Sequence, residues 1–150
     1  MFAVLFNFFF TYTLLTMKTA IDWISLGVSD LEKSLVFYRD GLGLPTEGIV
    51  AERPGTLSFS LDHGQNLVLH EWNIFSTFTP NPAAPLQPNG CIFNQYADSK
   101  EEVHQVVDRA VQAGGKQIGG FSDQPWGYVA SVMDPDGHQW VIFFSPSGRM

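Results

Sequence analysis

The stretch ISLGVSDLEKSLVFYRDGLGL (24–44) decides the fold. Ile24, Leu26 and Val28 alternate with smaller residues, the period of a half-buried strand. Ser29-Asp-Leu-Glu32 then reads as a capping box, with Ser29 covering orphan amides and Glu32 reaching back. Leu31, Leu35 and Tyr38 recur at helical spacing, and Gly41 and Gly43 supply the stop. The run predicts a strand followed by a short amphipathic helix.

Further along, the same grammar returns. CIFNQYA (91–97) is a plausible strand, and Ser99-Lys-Glu-Glu102 is a second capping box. Val103, Val106, Val107, Ala110 and Val111 follow at helical spacing before Gly114-Gly115. Each helix leads to a hairpin. In the first copy LSFSL (57–61) and NLVLHEW (66–72) flank a turn at Asp62-His63-Gly64. In the second, GYVASVM (127–133) and HQWVIFF (138–144) flank Asp134-Pro-Asp-Gly137. Short strands around Glu47–Ala51 and around Gln117–Ile118 would complete a β-α-β-β-β unit in each half. Recurrence of caps, stops and turns in one order marks an internal repeat.

One α+β domain is expected over 17–150, with module one about 18–72 and module two about 89–146. Between them, about 73–88, Pro80, Pro82, Pro85 and Pro88 suit an extended crossover. The chain of 150 residues is 45% hydrophobic, which excludes intrinsic disorder. Fifteen acidic residues against eight basic ones give −7, which opposes an electrostatic grip on nucleic acid. Cys91 is the sole cysteine, so no intrachain disulfide forms and a reducing, cytoplasmic location is expected. Residues 1–16 are an apolar leader without a basic start. They fall short of the ~20 residues of a spanning helix. Met17 is an alternative natural start.

Residues 24–44, taken with DPDGHQWVIFF (134–144), resemble the vicinal oxygen chelate superfamily: glyoxalase I, bleomycin-resistance proteins, fosfomycin-resistance enzymes and extradiol dioxygenases. The likeness spans roughly 18–146. It implies two tandem β-α-β-β-β modules whose curled mixed sheets enclose a cavity, often within a homodimer. It also implies a divalent metal on four inward His or Glu side chains. Carried over, those positions fall on Trp23, Leu69, the neighbourhood of Ile92 beside Cys91, and Val141. An indole N–H and three hydrocarbons offer no lone pair to a metal. A shifted alignment would bring in Cys91 or Glu71, still fewer than the three protein ligands of a catalytic zinc. The expectation is therefore a member of this superfamily without the metal and with no other cofactor.

The histidines build no alternative. His63 sits in a turn, His138 at a hairpin base, and His104 on the flank of the second helix. His70 alternates with Leu69 and Glu71, so it cannot share a sheet face with Glu71. Tyr38 is expected to pack under the sheet, and the Asp134–Gly137 turn to be structural.

By strand parity Trp23, Leu69, Val141 and Phe143 are expected on the inward face with Glu71 at its end, plausibly joined by Asn94 and Tyr96; the resemblance implies Trp126 and Tyr128 at the cavity rim. Aromatic walls with one carboxylate suit a planar or cationic guest, each contact giving ~0.5–2 kcal/mol. Equally, tryptophans on sheets serve packing, and Glu71 near a strand end reaches solvent. The leading expectation is binding or sequestration of a small organic molecule without chemistry. Its rivals are a divalent-metal lyase, isomerase or dioxygenase with a rearranged site, and an interaction module docked through the leader.

Overall fold

The computed structural model describes residue 21 and residues 23–77 and 91–148. The leader and most of the proline-rich crossover lie outside the described residues. The fold is a mixed α+β arrangement of one three-stranded and one four-stranded sheet, with no closed barrel among the described residues.

In module one, β1 (Trp23–Val28) leads to α1 (Leu31–Leu35), which continues as a π-helical segment over Val36–Gly41. The N-cap is Asp30, not Ser29: Asp30 Oδ1 accepts from Lys33 N at 3.0 Å. Ser29 is spent elsewhere, its amide donating to Asp136 Oδ1 of the other module at 2.9 Å. Strands β2 (Thr56–Ser60) and β3 (Asn66–Glu71) form the hairpin, and the sheet order is β1-β3-β2. No strand forms at Glu47–Ala51, so this module is β-α-β-β. The crossover opens not as extended chain but as a helical turn, α2 (Trp72–Phe75), which lays Trp72 and Phe75 beside Gly27.

Module two is complete. Strand β4 (Ile92–Tyr96), helix α3 (Lys100–Gln112), β5 (Lys116–Gln124), β6 (Gly127–Met133) and β7 (Gln139–Phe144) give the order β4-β7-β6-β5. Ser99 caps α3 as expected, accepting from Glu102 N at 3.0 Å. The expected strand at Gln117–Ile118 is the first part of the longer β5, whose pairing with β6 shifts register on either side of Gly119.

Strand period explains the core. Ile24, Leu26 and Val28 share a face with Leu67, Leu69, Leu57 and Phe59. Phe93, Trp140 and Val132 align likewise, as do Gln95, Ile142 and Ala130. All the apolar members of these rows belong to one cluster with Leu35, Phe37, Tyr38, Val103, Val107 and Ala110 of the helices. The two helical segments touch directly. A Cβ on Gly41 would stand 3.0 Å from Ala110 Cα, and one on Gly115 only 2.3 Å from Phe37 Cε2, so both positions need the missing side chain.

Tyr38 packs under the sheets as predicted, edge-on to Trp140 at 5.7 Å and tilted against Phe59 at 5.4 Å. Its hydroxyl donates to Asp134 Oδ2 at 2.7 Å, tying the first helix to the second hairpin. Among the described residues no helix is long and apolar enough to cross a membrane.

Candidate functional site

Each sheet spends one face on the helices and leaves the other for solvent or ligand. In module one the register puts Trp23, Ser25 and Gly27 on the open face with Asn66, Val68 and His70 and with Thr56, Ser58 and Ser60. Two expectations fail here. Leu69 is fully buried between Leu26 and Leu57, on the face opposite Trp23. Glu71 pairs with Val28 and shares the parity of Leu69, so it does not meet Trp23 either. The side chain brought onto the Trp23 face is His70. Its Nε2 lies 3.5 Å from Ser25 Oγ and its Nδ1 3.2 Å from Thr56 Oγ1. Burial holds the imidazole below its ordinary pKa, in the neutral form. The signal was present in NLVLHE, where the apolar parity through Leu67 and Leu69 marks the core face.

In module two the expected set does share a face. Asn94 pairs with Val141, and Tyr96 with Phe143; Ile92 lies on the same side. The Tyr96 ring meets Phe143 edge-on at 5.4 Å, and its hydroxyl donates to the Ser145 carbonyl at 3.0 Å. Trp126 touches Phe143 edge-on at 6.1 Å and is half exposed. Tyr128, in contrast, aligns with Phe144 and turns toward α3, where its hydroxyl meets His104 Nε2 at 2.8 Å. His104, on the flank of α3, is stacked on Phe121 at 3.8 Å.

Two separate recesses result, in place of a single aromatic ring. A groove of about 720 Å³ runs along β4, bounded by Ile24, Leu44 and the turn from Ser60 to Gln65. Ile92, Phe93, Asn94, Gln95, Tyr96, Trp140 and Phe143 form its wall, with Asp62 and His63 at the turn. Phe93 and Trp140 stack at 4.9 Å. Gln95 donates through Nε2 to the Leu42 carbonyl, whereas its Oε1 and Trp140 Nε1 are buried with no protein partner. The second recess holds Trp126 and Tyr128. Asn94, Tyr96 and Phe143 therefore meet in the first recess and Trp126 and Tyr128 in the second. Trp23, Leu69, Glu71 and Val141 line neither.

The profile of the Glyoxalase/Bleomycin resistance protein/Dioxygenase superfamily matches residues 20–142. The chain belongs to this superfamily. Among solved structures it is similar to a glyoxalase-related enzyme from Fulvimarina pelagi, at 25% identity and TM-score 0.73 over 85% of this chain and 89% of that one. It is also similar to a lactoylglutathione lyase from Agrobacterium tumefaciens, at 26% identity and TM-score 0.60, covering 84% and 93% of the two chains. A family member from Burkholderia phytofirmans shares the fold at 17% identity and TM-score 0.71, over 83% and 97%. No curated protein matches the chain.

The divalent metal implied for this superfamily does not fit the residues present. Trp23, Leu69, Ile92 and Val141 supply no lone pair, and correcting the face of Leu69 substitutes Val68 or His70. That offers His70, already engaged through both ring nitrogens with Ser25 and Thr56, and with Cys91 in place of Ile92 at most two donors, fewer than the three of a catalytic zinc. No group of three His, Cys, Asp or Glu converges among the described residues.

Proposed function

We propose that this superfamily member binds a small planar organic molecule in the groove along β4, without a resident metal and without chemistry on its guest. The supporting observation is the groove itself, an apolar and aromatic wall with a few polar groups, in the size range of small-molecule sites. Ile92, Phe93, Tyr96 and Phe143 offer apolar surface, Asn94 offers both a donor and an acceptor, and Asp62, in place of Glu71, supplies a negative charge. A cationic aromatic guest suits this lining and a chain of net charge −7. Homodimerisation in a reducing cytoplasm is part of the same proposal.

The rival reading is a divalent-metal lyase, isomerase or dioxygenase. Likeness to the Agrobacterium lyase favours it, and the missing donors oppose it.

The test is a screen of aromatic cations by tryptophan fluorescence, repeated on Phe143→Ala and Ile92→Asp. Ile92 is 53% exposed, so the second variant leaves the core alone. A hit whose affinity falls about tenfold in both variants, some 1.4 kcal/mol, supports the groove. Binding indifferent to both, or the absence of any hit, overturns the proposal.

A further inference from the structure

We propose that the second recess, of about 380 Å³, binds a small aromatic zwitterion such as an aromatic α-amino acid. It lies between the β5–β6 turn, the start of α3 and residues 144–147, and shares no lining residue with the groove along β4. Trp126 stands at the turn with 53% of its surface exposed, an apolar wall that a ring can cover. Tyr128 is held in place from three sides. Its hydroxyl meets His104 Nε2 at 2.8 Å, its ring lies parallel to Phe121 at 6.2 Å, and Lys100 Nζ sits 4.7 Å over it. A wall already fixed in this way loses little side-chain freedom on binding.

Both charges of the recess belong to one pair, Lys100 Nζ to Asp123 Oδ1 at 2.5 Å. The two side chains are 53% and 73% exposed, and exposed pairs are worth little, so this one opens at small cost. A guest carrying both charges replaces it with two contacts, its carboxylate on Lys100 and its ammonium on Asp123, while its ring covers Trp126. A carboxylate on Lys100 meets the like charge of Asp123 beside it and the repulsion of a chain at −7; an ammonium on Asp123 meets the like charge of Lys100 beside it. Only the zwitterion satisfies both.

The experiment is calorimetric titration of the full chain with L-phenylalanine, phenylacetate and phenethylamine. L-Phenylalanine is expected to bind saturably, and each single-charge analogue about tenfold more weakly. Lys100→Gln and Asp123→Asn should each cost about tenfold, and Trp126→Ala should abolish binding. Ile92→Asp, in the other recess, should change nothing, which separates this site from the groove. Far-ultraviolet dichroism confirms the fold of each variant. Failure of L-phenylalanine to saturate overturns the proposal. So does equal affinity for phenethylamine, or indifference to both charge variants.

Discussion

The Tyr38 hydroxyl and the Asp134 carboxylate, 96 residues apart, meet at 2.7 Å in the interior. Asp134 is enclosed on every side: Oδ1 accepts from the amides of Asp136 and His138 at 3.0 and 2.8 Å, and Oδ2 also faces His138 Nδ1 at 2.7 Å. Burial, with the Asp134 carboxylate beside it, raises the phenol pKa well above its usual range, so Tyr38 stays a donor at physiological pH. The DPDG turn is structural, and what it secures is the joint between the modules.

Tyr38→Phe removes that donor while keeping the ring in its aromatic cluster. A buried charged acceptor that loses one partner costs about 1–3 kcal/mol. Urea unfolding should show a loss in this range without a change of slope. A loss below about 0.5 kcal/mol would mean the amides and His138 suffice to hold Asp134.

Capping separates Asp30 from Ser29. Asp30 accepts from Lys33 N, whereas Ser29 contributes its backbone amide to Asp136. Asp30→Ala should therefore cost about 1 kcal/mol and Ser29→Ala less than about 0.5, because alanine keeps the amide. Thermal unfolding of both variants checks the order; the reverse order would restore the serine as cap.

His70 gives the pH dependence a direction. Its folded pKa is lowered by burial from 6.5, so below pH 6.5 the unfolded chain takes up the proton first. This contribution is present above 6.5 and is lost as pH falls through the depressed folded value. Urea midpoints measured between pH 7.5 and 5 should fall more steeply for the natural chain than for His70→Gln. Parallel curves would show that the ring titrates as freely folded as unfolded.

Metal should leave stability unchanged. A ligand at 100 times its Kd raises stability by about 2.7 kcal/mol, an effect thermal unfolding detects readily. Challenge with Mn, Fe(II), Ni and Zn should produce no upward shift, and elemental analysis of chelator-free protein should find no stoichiometric metal. A stabilising ion retained at one per chain would overturn the metal-free reading and direct assays to isomerisation and ring cleavage.

Much of the fold was legible locally. Alternation at Ile24, Leu26 and Val28, the Ser99 cap and the DPDG hairpin each rest on contacts between near neighbours in sequence, and each stands in the structure. Elements without such signals depart from the local pattern. Glu47–Ala51 has no alternation and forms no strand, and proline content further along hid the helical turn at Trp72–Phe75.

The site divides differently. Composition alone determined that Trp23, Ile92 and Val141 cannot ligate a metal, because that depends on which atoms a side chain carries. Which face each side chain takes was decided by strand pairing. A shift of one residue sends a side chain to the other side of the sheet, so Leu69 enters the core and His70 the open face once β3 pairs with β1. Likewise the separation of Trp126 and Tyr128 from Asn94, Tyr96 and Phe143 depends on where β6, β7 and α3 meet. Local periodicity is encoded in neighbouring residues. Which recess a side chain lines is set by elements distant in sequence, and only their packing decides it.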